Sequence, residues 1–322
     1  MTTQTAAPVA ITPRVITAKQ RGKALRDTWP GILMAAPAVL GLLGFVAVPF
    51  IVAIALSFFN VQLNSVHPAR FFGFTQYVRL FDDPVVSGQF LRALLNNLTF
   101  AVVVVPVQTA LALFLAVLLN RKLKGMAIFR TFFFMPVVFP MALVAVIWRL
   151  ILDRGDQGLL NTVIHFVSGG FIGAHDWLGS SATALASIIL LSIWQGAGFQ
   201  MVIILAALQE IPEDRYEAAQ LDRANAWHQF RHVTVPGIRN TLIFVVLLTT
   251  ILSFRVYDQV YILIKTAGAN ADATRTVLFQ ATQTVFDENN LGQAAAITVV
   301  FFIIVVAITI IQRQILKQRS ED

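Results

Sequence analysis

The sequence predicts an all-α polytopic membrane protein with six transmembrane helices and a cytosolic helix-turn-helix loop between spans 4 and 5. Of its 322 residues, 57% are hydrophobic and only 13% are charged, whereas soluble domains are close to half apolar and a quarter charged. Six apolar runs are each long enough to cross a hydrocarbon core, which takes about 20 residues. One strongly charged segment separates the fourth run from the fifth.

The six apolar runs define the predicted spans. They cover residues 32–58, 94–119, 127–152, 182–208, 241–264 and 294–311. Proline removes a backbone donor and therefore predicts kinks in the first three runs, at Pro37, Pro49, Pro106, Pro136 and Pro140. The first run follows a basic flank, as in a signal peptide. It exceeds the roughly 7–15 apolar residues of a cleavable segment, so we interpret it as a retained anchor.

The basic residues predict the orientation of these spans. If the N-terminus lies in the cytosol, fifteen of the 24 Lys and Arg residues fall in cytosolic segments, five fall in outer loops, and four lie within or beside spans. Because cytosolic loops carry the excess of Lys and Arg, this distribution predicts that both termini are cytosolic. It also accounts for the net charge of +7 without a nucleic-acid partner.

Two regions are predicted along the chain. Residues 1–30 are rich in Thr, Ala and Pro with scattered bases, which is typical of a disordered cytosolic tail. Residues 31–322 form the membrane domain, with the charged cytosolic loop at 208–239. The outer loops cover residues 59–93, 153–181 and 265–293. They are either solvated connectors or contact sites for a molecule outside the membrane.

The sequence carries no enzyme motif. It has no cysteine, which excludes disulfides and thiolate metal sites. It has no G-x-x-x-x-G-K-[ST] phosphate loop and no H-E-x-x-H metal motif. His228 and His232 are four residues apart and could share a helix face, but no third ligand accompanies them, so no metal is predicted. We expect no catalytic residue and no cofactor bound by this chain.

The charged cytosolic segment has the pattern of two short helices. Glu213, Asp214 and Glu217 follow Pro212, so acidic side chains fall in the first turns of a helix, where the helix dipole favours them. Residues 222–226 predict a turn. A helix of this kind, standing between spans on the cytosolic side, is suited to docking a soluble partner.

A second helical piece is predicted over residues 226–233. Trp227, Phe230 and Val233 recur at spacings of three and predict an apolar, aromatic face beside the acidic one. The alternative to docking is an amphipathic loop that lies on the inner headgroups. The acidic first half disfavours that alternative because the inner leaflet is negative.

Polar side chains within the fourth and fifth runs predict a solute site, because such groups are costly in a bilayer. Arg255 and Asp258 are three residues apart and are predicted to pair along one helix face. Tyr257 lies between them, and Gln195 and Phe199 lie in the fourth run. Aromatic faces combined with hydrogen-bonding groups suit a polyhydroxylated solute. The alternative is a structural ion pair, with the aromatic residues as interface anchors.

Several segments together resemble one known family. They are Tyr216-Glu217-Ala218-Ala219, Leu221-Asp222-x-Ala224, Trp227, Phe230 and Thr234-Val235-Pro236 in the loop; Phe129-Arg130-Thr131 and Ile147-Trp148-Arg149 in the third run; Gly158-Leu159-Leu160-Asn161, Trp194-x-x-x-Gly198 and Ser253-Phe254-Arg255-Val256-Tyr257-Asp258-Gln259-Val260-Tyr261. The loop resembles the E-A-A signature of permease subunits of bacterial ABC importers. The other segments resemble its carbohydrate branch, with the maltose, lactose and glycerol-3-phosphate permeases.

The resemblance implies an assembly in the bacterial inner membrane. A second permease chain, expected to be a different subunit, completes the pathway across the bilayer. Two ABC ATPase subunits bind and hydrolyse ATP with Mg, and an external or periplasmic binding protein delivers the solute. Closure of the ATPases would move the loop and turn the spans from inward-open to outward-open. The solute stays open between a sugar and a glycerol-phosphate compound.

The resemblance also implies which residues act. Glu217 would pair with a basic residue of the ATPase, and Ala218, Ala219 and Ala224 would fit tightly into its groove. The whole docking set is Glu217, Ala218, Ala219, Asp222, Arg223, Ala224 and Pro236. The implied solute-binding set is Gln195, Gly196, Phe199, Tyr257, Arg255 and Asp258.

Two positions depart from the family pattern. Arg223 stands where the family usually has glycine, so either the turn has another backbone conformation or Arg223 adds a partner contact. Gly268-Ala269-Asn270 replaces the usual glycine–proline sequence after span 5 and leaves the shape of that outer loop open.

Two other classes of membrane protein are weighed against the importer. An ion-coupled secondary carrier for a polar solute often has inverted repeats and several intramembrane carboxylates, whereas Asp258 is the only acidic residue well inside a run. A channel or scaffold is disfavoured by the polar residues of the fourth and fifth runs.

Overall fold

The computed structural model describes residues 18–65, 68–121, 123–155 and 158–321. Most of these residues are helical, and a two-stranded antiparallel sheet is formed by β1 (Phe59–Asn60) and β2 (Arg70–Phe71). The chain divides between Ala55 and Leu56 into two compact units. The prediction of a mostly helical membrane protein is confirmed.

The first unit is a helical rod with one widened turn. It comprises α1 (Ala18–Leu42), a π-helical turn (Leu43–Ala47) and most of α2 (Val48–Leu56). The stretch Pro30–Leu56 is long and apolar enough to span a membrane. Pro49 lacks an N–H, and its ring crowds the carbonyl four residues earlier, which accounts for the widened turn before it. Helix α1 begins within the segment 1–30 that the sequence assigned to a tail, and residues 1–17 lie outside the described part of the chain.

The second unit begins with an ordered cap of two strands and a helix, where the sequence predicted a connecting loop at 59–93. Helix α3 (Thr75–Asp82) follows the two strands. The backbone N–H of Leu291 donates to the carbonyl oxygen of Val61 at 2.9 Å and ties this cap to the beginning of the last helix.

Helix α4 (Pro84–Leu119) is longer than the second predicted span. Asp83 Oδ1 accepts hydrogen bonds from the backbone N–H groups of Val85 at 3.0 Å and Val86 at 3.3 Å. A capping carboxylate followed by proline at the first helical position is a strong start signal. The helix therefore begins before residue 94, and it continues unbroken through Pro106.

The third predicted span is two helices. Helices α5 (Met126–Val138) and α6 (Met141–Ile151) are bent by 98° at Phe139 and Pro140. Phe139 is extended, with φ −78° and ψ 137°, because the ring of Pro140 excludes the helical conformation from the preceding residue. The predicted kink of the run 127–152 lies at Pro140, but it separates two helices instead of bending a single one.

The remaining helices follow in chain order. They are α7 (Leu159–Val167), α8 (Ala184–Gln209), α9 (Glu213–Leu221), α10 (Ala226–Gln229), a π-helical turn (Phe230–Thr234), α11 (Val235–Gly237), α12 (Arg239–Phe254), α13 (Asp258–Ala267), α14 (Ala271–Thr274), α15 (Val277–Phe286) and α16 (Leu291–Glu321). Within the described residues, five helical stretches are long and apolar enough to cross a membrane, or six if α5 and α6 count as one.

The fifth predicted span is broken, and the loop after it is largely helical. Helix α12 ends before Arg255 and α13 starts at Asp258, and Tyr257 between them has φ −144° and ψ −58°. Gly268 ends α13 in the left-handed conformation, with φ 65°. Asn270 then caps α14 by accepting from the N–H of Ala273 at 2.9 Å, which resolves the shape of the loop at 268–270.

Helix α8 is the centre of the second unit. It packs against α4, α5 and α12, and most of its length is buried. Two of its glycines permit this packing. A Cβ at Gly196 would lie 2.5 Å from Gln108 Nε2 of α4, and a Cβ at Gly198 would overlap the backbone carbonyl of Phe133 in α5. Close contact through small residues is typical of membrane helices.

Candidate functional site: a charged helical loop and the polar residues of the neighbouring helices

The loop between α8 and α12 is folded onto the ends of those helices. Ile211 is buried in a cluster with Leu208 and Ile238. Tyr216 of α9 packs against the same cluster, and its Oη lies 3.1 Å from Thr234 Oγ1 across the loop. Helix α9 is therefore packed directly against the residues that continue into α8 and α12.

Arg223 occupies a glycine conformation at the end of α9. Its φ is +58°, its N–H donates to Gln220 O at 2.9 Å, and the N–H of Ala224 donates to Ala219 O at 2.9 Å. These two bonds form a Schellman motif, which usually has glycine at the left-handed position. Of the two alternatives for Arg223, a different backbone conformation of the turn is wrong, because arginine retains the conformation that glycine would have there.

The second helical piece differs from the predicted one. Helix α10 is capped by Asn225, whose Oδ1 accepts from the N–H of His228 at 2.9 Å, and the chain then widens into the π-helical turn. Trp227 is exposed, but Val233 packs into the buried cluster beneath the loop. The three residues Trp227, Phe230 and Val233 do not form one outward face, because a π-helical turn changes the direction of successive side chains.

Most of the predicted docking residues are accessible. Glu217, Ala218, Asp222, Arg223 and Pro236 are exposed, and Ala219 and Ala224 are half-buried. The large apolar side chains exposed on this loop are Leu221, at 86%, and Trp227, at 64%. Trp227 belongs to the predicted aromatic face, whereas Leu221 was not predicted to take part in docking. The exposure of Leu221 could have been inferred, because it ends an acidic helix that has few apolar residues. Together these residues form a small, thin surface with acidic and apolar parts.

No metal site accompanies the histidines of this loop. His228 and His232 stack with their ring centres 5.7 Å apart. Among the described residues, no group of three His, Cys, Asp or Glu side chains could hold a metal ion.

The fourth-span candidates lie beside the bend between α5 and α6. Gln195 Nε2 donates at 3.2 Å to the carbonyl oxygen of Phe139, which the bend removes from helical bonding. Phe199 is exposed, at 39%. Gly196 faces Gln108 of α4 and permits close packing of the two helices. Trp194 lies with its ring centre 5.8 Å from that of Trp148 in α6.

The fifth-span candidates lie at the break between α12 and α13. The predicted pair of Arg255 and Asp258 is not among the ion pairs of the described residues. The break explains this difference, because Arg255 follows the end of α12 while Asp258 starts α13, so they do not share a helix face. Both side chains are exposed. Tyr257 is half-buried and stacks on Tyr261, with ring centres 5.5 Å apart.

The six predicted solute residues do not bond to one another. Instead, buried bonds tie the two spans together on either side of them. Gln200 Nε2 donates to Thr249 Oγ1 at 2.5 Å, and Gln259 Nε2 donates to Ser192 Oγ at 3.2 Å. The partners Thr249 and Ser192 could not be predicted from the sequence, since a hydroxyl within an apolar run gives no distinctive signal.

The comparison with protein families decides the class of the chain. A family described as the binding-protein-dependent transport system inner membrane component matches residues 85–321. The chain belongs to this family. The match covers α4 to α16, including the loop between α8 and α12 and both groups of predicted solute residues.

Curated relatives agree with this assignment along nearly the full length of the permease. The chain is 35% identical over 293 residues to the probable ABC transporter permease protein YurN of Bacillus subtilis, covering 90% of this chain and 97% of that protein. It is 32% identical to the inner membrane ABC transporter permease protein YcjO of Escherichia coli, covering 88% and 92%. It is 28% identical to the trehalose/maltose transport system permease protein MalF of Thermococcus litoralis, covering 92% and 96%.

A solved structure shares the fold of the permease. It is the crystal structure of a bacterial ABC transporter involved in the import of the acidic polysaccharide alginate, with a TM-score of 0.77 and 19% identity. The similarity covers 93% of this chain and 99% of the solved one. A second structure of that transporter contains a periplasmic protein with bound alginate pentasaccharide.

Proposed function

We propose that the chain is the permease subunit of a binding-protein-dependent ABC importer that moves a sugar or sugar-like solute into the cytosol. The family match supports the permease role. The names of relatives support the solute class, since they include transport systems for trehalose and maltose, for starch degradation products and for arabinooligosaccharides. ATP and Mg would be bound by separate ATPase subunits and not by this chain.

The observation that carries the proposal is the exposed helix α9, held between the ends of α8 and α12. Its first turn contains Glu213 and Asp214, and Glu217 is exposed one turn further on. Glu217 would pair with a basic residue of the ATPase. Ala218, Ala219 and Ala224 are small enough to let the helix approach the floor of a groove closely.

The rest of the docking surface would surround α9. Asp222, Arg223 and Pro236 are exposed beside it and would contact the rim of the groove. Leu221, which is 86% exposed, would insert an apolar side chain into the same groove. A buried apolar anchor with polar residues around it is the usual composition of a stable protein interface.

The solute would be bound near the two breaks in the helices. The bend at Phe139 and the break at 255–257 interrupt α-helical bonding within the membrane domain, and non-helical backbone at that depth is tolerated where it lines a cavity or is buried in protein. Gln195, Phe199, Tyr257, Arg255 and Asp258 would contribute amide, aromatic and charged groups. Gly196 would contribute indirectly, by allowing α4 to pack closely against α8.

The assembly follows from this role. A second permease chain, expected to be a different subunit, would complete the pathway, and an external or periplasmic binding protein would deliver the solute. Both termini would lie in the cytosol, in agreement with the distribution of Lys and Arg. An ion-coupled secondary carrier is not favoured, because the family match names a binding-protein-dependent system.

The composition of the purified complex tests the proposal. The expected result by native mass spectrometry is one copy of this chain, one further permease chain and two ATPase subunits, with the binding protein added under transport conditions. Recovery of the chain as a homogeneous, active species without any ATPase would overturn the proposal and favour the ion-coupled carrier.

A further inference from the structure

The outer helix α7 turns its apolar side away from the protein. Leu159, Val163 and Phe166 recur at helical spacing along one side, and all three are exposed, Phe166 by 85%. The opposite side carries Asn161, which is only 4% exposed. A helix on the surface of a soluble protein has the reverse arrangement, with its apolar stripe packed against the core. The stripe formed by Leu159, Val163 and Phe166 therefore needs an apolar neighbour outside this chain.

Asn161 fixes that orientation of α7. Its Nδ2 donates at 3.0 Å to the carbonyl oxygens of Asp153 and His175, and its Oδ1 accepts from Trp177 Nε1 at 2.7 Å. Both ends of the buried amide are thus bonded. Rolling the helix to bury the stripe would break these bonds and leave a polar group without a partner, which is unfavourable.

The turn after α7 extends the apolar surface. Gly169 and Gly170 have φ of 62° and 86°, which returns the chain after the helix at little steric cost. The N–H of Ile172 then donates to Ser168 Oγ at 3.2 Å, so the turn is internally bonded. Phe171 is 94% exposed at its tip. An ordered turn that presents a phenylalanine outward indicates a defined apolar environment.

This surface is attached to the first turn of a spanning helix. The carbonyl oxygen of Trp177, the partner of Asn161, accepts from Thr183 Oγ1 at 3.0 Å and from Ser187 Oγ at 3.3 Å, at the start of α8. Helix α8 is long and apolar enough to cross the membrane. The end of such a helix lies where the hydrocarbon meets the headgroups. Helix α7 is therefore at the level of the bilayer surface.

We propose that α7 and the turn after it lie in the outer headgroup layer, with Phe166 and Phe171 in contact with lipid acyl chains. A short helix with a large apolar face is suited to this position. Arg149 and Arg154 are exposed on the segment that leads into α7, and Asp153 is exposed beside them. The sequence of this segment also contains Asp156. Lipid phosphates complement these guanidinium groups, whose long side chains extend to the headgroups.

The composition of the stripe distinguishes lipid from protein neighbours. Contacts between membrane helices are enriched in small residues, whereas this stripe consists of leucine, valine and phenylalanine. A binding protein leaves the transporter after each delivery, and surfaces used for transient contact keep polar groups. Lipid acyl chains can cover these apolar side chains without small residues for helix packing and without polar groups for transient binding. This inference does not depend on which solute is carried.

The absence of cysteine from this chain permits a direct test. A fluorescent label is attached to Phe166→Cys in the assembled transporter, in nanodiscs of phosphatidylethanolamine and phosphatidylglycerol, with the other subunits freed of reactive cysteine. Quenching by acyl-chain nitroxide lipids is compared with quenching by aqueous iodide. Glu288→Cys, at an exposed acidic residue before α16, is the water-facing control. Val163→Cys, on the same stripe, replaces Phe166→Cys if that variant does not assemble.

The expected result is strong quenching by lipid nitroxide at residue 166 and at least several-fold weaker quenching by iodide than at residue 288. Iodide quenching equal to that of the control would overturn the proposal. Quenching by neither reagent would also overturn it and indicate cover by the second permease chain. Iodide quenching that disappears only when the binding protein is added would assign the surface to that protein.

Discussion

Gln200 and Thr249 join α8 and α12, the two helices that flank the charged loop. Gln200 Nε2 donates to Thr249 Oγ1 at 2.5 Å, and both side chains are buried. A second buried bond, from Gln259 Nε2 to Ser192 Oγ, ties α13 to α8 at 3.2 Å. Helix α8 therefore holds both halves of the broken fifth span, with one bond on each side of the break at 255–257.

We expect Thr249→Val to destabilise the permease more than Gln200→Leu does. Valine removes the acceptor and leaves the whole Gln200 amide unpaired, because its Oε1 has no partner among the described residues. An unpaired buried polar group costs about 1–3 kcal/mol. Leucine at 200 removes the amide, while Thr249 Oγ1 keeps its 2.6 Å bond to Val245 O. Thermal unfolding of the two purified variants shows which one is less stable. A lower midpoint for Gln200→Leu than for Thr249→Val would contradict this account.

We expect Arg223→Gly to stabilise the end of α9. A residue with a side chain at φ +58° is disfavoured by roughly 1 kcal/mol relative to glycine. Amide hydrogen exchange over 218–226 should slow in this variant. Arg231→Gly is the matched control, because Arg231 is exposed within the π-helical turn, where glycine is unfavourable and exchange should speed up. Faster exchange in Arg223→Gly would show that the arginine side chain, and not the backbone, stabilises this turn.

We expect Gly198→Ala to reduce the yield of folded permease more than Gly196→Ala does. A Cβ at 198 meets the backbone carbonyl of Phe133, which cannot move without shifting α5. A Cβ at 196 meets the end of the Gln108 side chain, which can rotate away. Size-exclusion chromatography of the membrane extracts compares the two variants. Adding Gln108→Ala should restore the yield of the Gly196→Ala variant and leave the yield of the Gly198→Ala variant unchanged. Any other pattern of rescue would contradict the packing described.

Hydrophobic runs predicted where most helices lie, because an apolar run of membrane length has few alternative structures. They could not predict the true start of α4, since Asp83 and Pro84 lie outside the apolar run and act through capping. The bend at Phe139 was partly predictable. Proline at 136 and 140 indicated a kink, but the angle of 98° depends on the packing of α5 against α8 and of α6 against α13.

The break in the fifth span could not be predicted from local sequence. No proline or glycine lies at 255–257, so helix propensity favours a continuous helix there. The predicted ion pair of Arg255 and Asp258 rested on that continuity and is wrong for the same reason. By contrast, α9 was well predicted, since Pro212 and the acidic residues after it are strong helix-start signals.

We expect Phe199→Ala and Asp258→Ala to change the affinity or selectivity of uptake without loss of assembly. Both side chains are exposed in this chain, so truncation removes little packing. The effect is measured as the uptake kinetics of the reconstituted transporter for each sugar of a panel. We expect a several-fold change in apparent KM. Phe114→Ala, an exposed phenylalanine of α4, is the control. Wild-type kinetics in both test variants would reassign the two residues to structural roles.

Transport by proteoliposomes containing the Glu217→Lys permease tests the central claim most directly. Reversing the charge on the exposed face of α9 should abolish solute uptake and its coupling to ATP hydrolysis, while the protein stays in the membrane. Glu210→Lys makes the same change at an exposed residue before α9 and should retain uptake. Full uptake by Glu217→Lys, or accumulation of solute by vesicles that contain this chain without ATPase subunits or ATP, would contradict the account.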